Sequence, residues 1–379
     1  VCLLEKGAEI GSRILSGAVF EPKTLFDLFP EDAKDCPTLK TPVAKDDLYW
    51  LTNNNKSIKI PSWLMPKSLH NKGNYIISLG ELCQWISEKA MELGVDIFPG
   101  FPAQKYLTDE SGRVIGIATG DMGIDKEGNH KGTYTPGMDI LAKQTIFAEG
   151  ARGHLGKKLI KAFNLDEGKT PQHFAIGFKE VWEVDNDKHS PGDVVHTMGW
   201  PLKGGTSGGG FLYHFDNNRI AVGLIVDLNY SNPSHSPFQE FQQFKQHPSI
   251  KQYLESGKRV SYGARAITKG GINSLVKMEF DGGMIVGCDA GTLNPSKIKG
   301  SHCALQSGIL AAEYINKVLS EENCDFDDLF KSSALFKELY ESRNFSAAMH
   351  KFGFYLGATY NFIESNIFRN KLPFTIKDE

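Results

Sequence analysis

A segment in the second half of the chain places a carboxylate between glycines at the end of an apolar run. Residues 285–302 include the motifs I-V-G-C-D-A-G and K-I-K-G-S-H. Asp289 is placed where ribityl hydroxyls can donate to it, and Gly287 gives a pyrophosphate room. The helix expected to start near Gly300 and Ser301 offers free amides and a positive dipole end, which stabilise the negative charge of a reduced flavin by about 0.3–2 kcal/mol. The alternative for Asp289 is a helix or turn cap.

Two other strand ends carry the glycine or the acid that a dinucleotide site uses. Residues 146–153 predict a strand that runs through Ala148 into a turn at Gly150, where a ligand can approach because no Cβ intervenes. Residues 1–4 form an apolar run ending in Glu5. In dinucleotide-binding folds, the second strand ends in a carboxylate that binds the adenosine ribose, about 20 residues after the glycine-rich turn. Alone, each segment is more typical of an ordinary strand and turn than of a cofactor site; together with Asp289 they favour FAD.

The chain shows no nucleophile or acid–base set. The glycine-rich run 204–210 neither follows an apolar strand nor opens a helix, so it fails the context test for a phosphate loop. His302 and His214 have no carboxylate at short range in the sequence, and we expect both to be structural. Electron transfer needs no side chain for a covalent step, so this pattern fits it.

Composition excludes other classes of function. With 42 Lys and Arg against 45 Asp and Glu, the net charge of -3 gives no reason to expect a nucleic-acid partner. The six cysteines form no C-x-x-C pair, which predicts reduced thiols and no metal site or complete iron–sulfur site within this stretch. There is no apolar run of about 18 residues that would predict a membrane-spanning helix.

The elements alternate in type and then become rich in strands. Ser78 and Glu81 have the spacing of a capping box ahead of a helix that stops at Gly94. A second helix is expected at 301–319. Strands are expected at 95–98, 114–118, 145–148, 175–181, 194–200, 211–215, 220–226 and 284–287. The pattern predicts a mixed α/β fold with a discontinuous nucleotide domain and a β-rich second domain.

The whole chain resembles one flavoprotein family, the electron-transfer flavoprotein:ubiquinone oxidoreductases. The similarity lies in long stretches with few glycines, which makes it more specific than a generic flavin fingerprint. The segments that carry it are V-C-L-L-E-K-G at 1–7, L-S-G-A at 15–18, G-N-Y-I at 73–76, I-F-A-E-G at 146–150, G-W-P-L at 199–202, F-L-Y-H at 211–214, H-P-S-I at 247–250, Y-G-A-R at 262–265 and K-I-K-G at 297–300.

This resemblance implies a fold, cofactors and a division of the chain. The fold would be an FAD/NAD(P)-binding Rossmann-like domain of the p-hydroxybenzoate-hydroxylase type with an interleaved β-rich quinone-binding domain. The FAD domain would comprise 1–12, 66–168 and 262–325, and the quinone-binding and membrane-surface domain 13–65, 169–261 and 326–379. A [4Fe-4S] cluster would belong to a further C-terminal part, and we interpret the chain as a piece of a longer protein that also has a glycine-rich turn before residue 1.

The resemblance also assigns residues to ligands. Glu5 would bind the adenosine ribose, Asn273 and Ser301 would approach the isoalloxazine ring, and the backbones of Gly208 and Gly209 would contact the quinone head group. The other residues placed around FAD are Ser16, Gly17, Ala148, Gly150, Gly287, Asp289 and Gly300. The implied partners are electron-transfer flavoprotein, ubiquinone and a membrane surface.

Two segments have the composition of an interfacial surface. Residues 58–69 combine Trp63 with lysines, and residues 352–374 combine aromatic and aliphatic residues with polar breaks. Each can also be read as an ordinary buried amphipathic segment. With the family resemblance, we expect peripheral or monotopic attachment to an inner membrane, on the bacterial cytoplasmic or the mitochondrial matrix face.

The leading hypothesis is transfer of electrons from reduced electron-transfer flavoprotein through FAD to ubiquinone, which would link fatty-acid and amino-acid oxidation to the respiratory chain. The alternatives are a FixC-like or geranylgeranyl-reductase-like FAD oxidoreductase, and a flavin-binding membrane-surface remnant without activity.

Overall fold

A computed structural model describes residues 1–15, 17–202 and 205–377. The strands are β1 (Cys2–Glu5), β2 (Ala18–Phe20), β3 (Thr41–Pro42), β4 (Lys45–Leu51), β5 (Ser57–Ile60), β6 (Tyr75–Ile77), β7 (Asp96–Pro99), β8 (Ala103–Thr108), β9 (Val114–Thr119), β10 (Met122–Ile124), β11 (His130–Thr135), β12 (Asp139–Leu141), β13 (Thr145–Phe147), β14 (Phe174–Glu183), β15 (Asp193–Gly199), β16 (Gly208–Phe215), β17 (Arg219–Asp227), β18 (Lys258–Thr268), β19 (Glu279–Phe280) and β20 (Gly283–Ile285).

The α-helices are α1 (Lys23–Leu28), α2 (Leu79–Glu92), α3 (Gly156–Ala162), α4 (Pro237–Gln246), α5 (Pro248–Leu254), α6 (Gly287–Ala290), α7 (Ser301–Leu319), α8 (Phe326–Ser332), α9 (Ala334–Glu341) and α10 (Phe345–Phe362). Short 3-10 turns lie at Ser62–Leu64, Lys67–Leu69 and Gly271–Ser274, and a π-helical turn at Ile363–Ile367 follows α10. Within the described part of the chain, no helix is both long and apolar enough to cross a membrane.

A seven-stranded sheet dominates the β-rich half. Its order is β18-β14-β17-β16-β15-β4-β5, so strands from 45–60 and 174–268 form one layer. Among the described strand pairs of this sheet, β15 and β4 are parallel and the others are antiparallel. The strand β17 is apolar on both faces because α4 and α5 cover one face, while β2 and β6 lie against the other.

The parallel elements lie in smaller sheets. β1 pairs with β7 in parallel, and β13 pairs with β20 in parallel, with β19 beside it. A core around α3, α7 and these last strands includes Leu159, Met284, Ile285 and Leu310. Carboxyl ends of parallel strands are where α/β folds bind ligands, and several of the predicted site residues follow such ends.

The predicted helix boundaries are confirmed. The Ser78 hydroxyl accepts a hydrogen bond from the Glu81 main chain at 3.3 Å and begins α2. Gly94 takes a positive φ of 83° just after this helix, as a C-terminal stop requires. The second predicted helix corresponds to α7.

Candidate functional site

The segment after β20 forms a tight turn rather than a simple loop. Gly287 has a φ of 64° and its N–H donates to the Ser307 hydroxyl at 2.9 Å. Asp289 follows in the one-turn helix α6, which ends at Gly291 with a φ of 98°. The two glycines therefore turn the chain so that the Asp289 side chain points inward, where it is 6% exposed.

Asp289 joins this turn to the loop after β13. Its Oδ1 accepts a hydrogen bond from the Gly153 N–H at 3.0 Å, while Oδ2 is buried without a partner among the described residues. Burial raises the pKa of Asp289 to about 7, and the nearby Glu149 carboxylate adds to this. Glu149 itself caps α3 by accepting from Leu155 and Gly156. The bond to Gly153 gives Asp289 a capping function, while a ligand contact of this buried carboxyl group stays a prediction.

The helix α7 presents an uncapped N-terminus close to this turn. Its N-cap is Gly300, which makes no side-chain capping bond, and Ser301 is its first residue. The free amides of this 19-residue helix are the anion-binding feature that the sequence predicts. Gly150, at the end of the β13 segment, has a φ of 82° and nothing within 4 Å of the place where a Cβ would stand.

A network of charged residues lies under the first turn of α7. His302 Nε2 is 2.7 Å from Glu338 Oε1, and Lys297 Nζ is 2.9 Å from Glu338 Oε2 and 2.8 Å from Glu21. Burial would raise the pKa of Glu338, but the hydrogen bond and charge of His302, together with Lys297, outweigh it and lower it to about 2. Because Glu338 follows His302 by 36 residues, no local sequence pattern predicts this partner.

The neighbouring Cys303 adds a thiol to this network. His302, Cys303 and Glu338 offer three atoms within 4.8 Å of one another, a separation that a metal ion could bridge. Burial and the Glu338 carboxylate both raise the pKa of the Cys303 thiol. Since Glu338 already accepts from Lys297, and a metal would need the thiolate, we interpret the group as a hydrogen-bond network.

The segment around residue 17 lies between β6 and the large sheet. Ser16 lies outside the described residues. Gly17 has a φ of 87°, and a Cβ there would stand 2.3 Å from the Ala221 side chain on β17. Its N–H donates to the Ile77 carbonyl oxygen at 3.2 Å. The chain therefore needs glycine where it passes between β6 and the sheet.

The remaining predicted residues are placed apart from this cluster or have structural partners. Glu5 ends β1 in the separate β1–β7 sheet, and its carboxylate accepts from the Gly7 N–H. The Asn273 side chain donates to the Arg343 carbonyl oxygen at 2.9 Å. Ala148 lies directly after β13. None of these contacts tests the predicted roles, which stay predictions.

Gly208 and Gly209 open β16. Both pair with β17, whereas the ladder with β15 covers only 210–213, so the two glycines extend beyond it. A Cβ at Gly209 would stand 2.7 Å from the Thr197 carbonyl oxygen, and one at Gly208 would stand 2.1 Å from the Ile225 carbonyl oxygen. Glycine is therefore required by the adjacent backbone.

Sequence reasoning missed Lys179. Its ammonium group donates to the carbonyl oxygens of Leu15 at 3.1 Å and Gly17 at 2.9 Å. Burial lowers the pKa of Lys179 to about 8. The signal in the sequence is a lysine inside an otherwise apolar strand, F-A-I-G-F-K-E-V-W-E.

This fold occurs in flavoproteins of the p-hydroxybenzoate-hydroxylase type, which confirms the predicted fold class. The chain superposes with a TM-score of 0.64 and 15% identity on a geranylgeranyl bacteriochlorophyll reductase-like protein from Thermoplasma acidophilum, covering 97% of this chain and 90% of that one. The flavin-dependent brominase Bmp2 gives the same TM-score and identity, covering 97% and 84%.

Comparison of the sequence with other proteins identifies a family, whereas the comparison of structures identifies only the fold. Residues 174–267 match the family described as "ETF-QO, ubiquinone-binding". The electron transfer flavoprotein-ubiquinone oxidoreductase of Pseudomonas aeruginosa is 56% identical across 100% of this chain and 70% of its own length. The mitochondrial protein of that name from Homo sapiens is 45% identical across 100% of this chain, which spans 63% of the human sequence. The chain belongs to the electron transfer flavoprotein-ubiquinone oxidoreductase family, as the sequence resemblance predicts.

Proposed function

We propose that the protein carrying this chain accepts electrons from reduced electron-transfer flavoprotein at FAD and passes them to ubiquinone. The observation that carries the proposal is identity along the whole chain to oxidoreductases named for these two partners. The match of residues 174–267 to a ubiquinone-binding family supports the acceptor.

The residues present fit FAD. The α7 N-terminus supplies amides for a negatively charged part of the cofactor. Gly150 leaves space for the cofactor to approach the backbone. The carboxyl group of Asp289, whose Oδ2 has no partner among the described residues, can accept a hydrogen bond from a cofactor hydroxyl. When bound, FAD supplies reversible acceptance of electrons one or two at a time. The chain binds and orients the group, and Ser301 is the first side chain of the helix that faces it.

The quinone is proposed to bind beside Gly208 and Gly209, on the side where β16 extends beyond its ladder with β15. Backbone groups outside a ladder are available to a ligand. Apolar side chains of β16 and β17, among them Phe211 and Ile225, lie on the same face of the sheet as Gly209, as the ring and the isoprenoid tail of a quinone require.

Membrane attachment is proposed for one exposed apolar surface, the surface patch, formed by the segments 58–69 and 352–374. The turn at Lys67–Leu69 packs against the turn at Ile363–Ile367, which brings the two segments together. Among the described large apolar side chains of this surface, Trp63 is 72% exposed, Leu356 69% and Ile367 63%. Exposed aromatic and aliphatic side chains beside lysines are typical of an interfacial surface. A long-tailed quinone would be reached from such a surface.

We retain the division of the chain into an FAD domain (1–12, 66–168 and 262–325) and a quinone-binding and membrane-surface domain (13–65, 169–261 and 326–379) as part of this proposal. The large sheet draws its strands from 45–60 and 174–268, which supports grouping 13–65 with 169–261, although β18 continues in this sheet to Thr268, past the proposed boundary at 261. The [4Fe-4S] cluster remains a prediction for a region beyond these residues.

A geranylgeranyl-reductase-like activity is the second candidate, favoured by the similarity of fold. The test is to supply the complete FAD-containing protein either with reduced electron-transfer flavoprotein and a short-chain ubiquinone or with an isoprenoid substrate and a hydride donor. Turnover only with the first pair supports the proposal. Turnover only with the second, or stoichiometric FAD without turnover with either pair, would overturn it.

A further inference from the structure

An open cavity of about 570 Å³ lies between α1, the segment 67–74 and the segment that precedes α7. Its volume falls in the range of small-ligand sites. The lysines among its described lining residues are Lys23, Lys67, Lys72, Lys297 and Lys299.

The carboxylates of this lining are already paired with lysines. Asp27 pairs with Lys23, and Glu21 pairs with Lys297 at 2.8 Å. Lys297 also pairs with Glu338 at 2.9 Å. These contacts leave no carboxylate of the described lining for another cation.

The other lysines of the cavity give it an excess of positive charge. In the part of the chain that the structure describes, none of the ion pairs includes Lys67, Lys72 or Lys299. Lys67 and Lys72 are exposed to solvent. Lys299 is 8% exposed. An anion in the cavity would therefore meet lysines that have no other charged partner.

Lys299 lacks a counter-ion although it is buried. Its ammonium group donates to the Lys297 carbonyl oxygen at 3.1 Å. The Asp46 carboxylate attracts it, but Asp46 already accepts hydrogen bonds from the backbone and the side chain of Asn71. Burial lowers the pKa of Lys299 to about 8, so the group is still mostly charged at pH 7. An anion bound beside it would offset the cost of burying this charge.

The cavity adjoins the surface patch. Lys67 belongs to both, because it lines the cavity and begins the turn Lys67–Leu69 that packs against Ile363–Ile367. Trp63, four residues earlier, is 72% exposed. An amphipathic ligand with an anionic head and an apolar tail fits this arrangement, whereas a free inorganic anion would need no apolar surface beside its site.

We propose that this cavity binds the phosphate of an anionic phospholipid headgroup when the surface patch rests on a membrane. The inference depends on the membrane attachment in the proposed function and names the lipid class that it selects. Lysine ammonium groups bind phosphate oxygens through charge-assisted hydrogen bonds, and basic clusters at a membrane surface attract anionic lipids. A zwitterionic headgroup fits less well, because the described lining offers no unpaired carboxylate to its ammonium group.

The test compares two double variants of the complete FAD-containing protein. Lys67→Gln with Lys72→Gln removes two charges from the cavity. Lys126→Gln with Lys131→Gln removes the same charge from exposed positions elsewhere. Binding is measured by co-sedimentation with vesicles of phosphatidylcholine alone and with vesicles of phosphatidylcholine mixed with phosphatidylglycerol.

The wild type is expected to prefer the vesicles that contain phosphatidylglycerol. The cavity double variant should lose about thirtyfold in affinity for them, since one lysine near an anionic membrane contributes about tenfold or slightly less. The control double variant should bind like the wild type. Equal losses in the two double variants would overturn the proposal, because general charge attraction would then explain the binding.

Lys299→Gln tests whether the phosphate enters the cavity. A buried lysine adds little to long-range attraction, so a loss of about tenfold or more would come from direct contact. An unchanged preference in a folded, FAD-containing Lys299→Gln protein would overturn the proposal. If this variant does not retain FAD, Ser68→Glu replaces it, because Ser68 also lines the cavity. Ser68→Glu should then abolish the preference, and the exposed Ser231→Glu should keep it.

Calorimetric titrations with soluble ligands identify the source of the phosphate. A short-chain phosphatidylglycerol should bind to the wild type more tightly than inorganic phosphate does. Equal or tighter binding of inorganic phosphate would overturn the lipid assignment. Equal binding of the wild type to both kinds of vesicle would overturn the proposal but leave membrane attachment intact, whereas binding to neither would contradict membrane attachment itself.

Discussion

The Gly153 N–H donates to Asp289 Oδ1 at 3.0 Å and joins the loop after β13 to the turn after β20. This contact spans 136 residues of chain and fixes the distance between two of the three segments that the sequence assigns to FAD. A Cβ at Gly153 would stand 2.6 Å from Asp289 Oδ2, so this loop can lie so close to Asp289 only because residue 153 is glycine.

The raised pKa of Asp289 predicts a pH-dependent stability. Because burial raises this pKa from its usual value to about 7, the protonated form is favoured in the folded state. The contribution of Asp289 to the free energy of unfolding is therefore fully present below about pH 4 and is lost as the pH rises through about 7.

Asp289→Asn should abolish this dependence, because the amide oxygen can still accept from Gly153 and carries no charge. We expect the variant to be more stable than the wild type at pH 8.5, by on the order of a few kcal/mol, and to exceed it by clearly less at pH 5, with the difference vanishing toward pH 4. Urea unfolding at both pH values measures this, with the exposed Asp139→Asn as control. A wild-type stability that does not fall between pH 5 and 8.5 would contradict the assignment.

The Glu338 network predicts the opposite pH dependence. Since the pKa of Glu338 is lowered to about 2, its contribution is present above about pH 4.5 and is lost as the pH falls toward 2. Glu338→Gln should lower the free energy of unfolding at pH 7 by about 1–3 kcal/mol, because it leaves Lys297 with one fewer charged partner. Glu341→Gln, exposed on the same helix, should change it little. Equal effects of the two substitutions would show that the network does not stabilise the fold.

Ser301→Ala should shift the reduction potential of the bound FAD without loss of the fold. Ser301 begins α7, whose N-terminus has no side-chain cap, and one hydrogen bond to a charged group is worth about 1.5–3 kcal/mol. The measurement is an electrochemical titration alongside a circular dichroism spectrum. An unchanged potential in a folded, FAD-containing variant would remove Ser301 from the cofactor site.

Gly209→Ala should destabilise the sheet, because its Cβ would stand 2.7 Å from the Thr197 carbonyl oxygen. Gly132→Ala is the matched control, since no atom lies within 4 Å of the position its Cβ would take. Thermal unfolding should separate the two by several degrees. If Gly209→Ala melts with the control yet reduces quinone slowly, the contact with the quinone, rather than strand packing, explains the glycine.

The surface patch should bind lipid vesicles. Trp63→Ser, at a side chain that is 72% exposed, should reduce co-sedimentation with phospholipid vesicles, whereas Leu141→Ser, at a side chain that is 70% exposed elsewhere, should not. Equal binding by both variants would locate the membrane contact outside the surface patch.

Much of the fold follows from local sequence signals. The Ser78 capping box, the glycine stop at Gly94 and the alternating apolar strands from 174 to 227 all predict elements that the structure contains. The long edge strand β18 is not among the predicted strands. Its apolar residues alternate from Val260 to Ala266, but two of them are alanines and most of the strand is exposed, so the pattern lacks the bulky apolar side chains of a buried strand. β4 and β5 were also missed, since their membership of the sheet depends on pairing with β15, which lies far along the chain.

The site was predictable where it depends on short motifs, and not where it depends on tertiary contacts. Gly287, Asp289 and Ser301 follow from one continuous segment. The links from Lys179 to Gly17 and from His302 to Glu338 join residues 162 and 36 positions apart. No local sequence pattern indicates contacts between residues so far apart along the chain. These contacts can be seen only once the packing of the sheet and of α7 is known.

The most direct test of the central claim follows the absorbance of FAD in the complete protein under anaerobic conditions. Adding reduced electron-transfer flavoprotein should bleach the oxidised FAD band, and subsequent ubiquinone should restore it, with quinol formed in proportion to the electrons supplied. FAD that the partner flavoprotein does not reduce, or reduced FAD that ubiquinone does not reoxidise, would contradict the account.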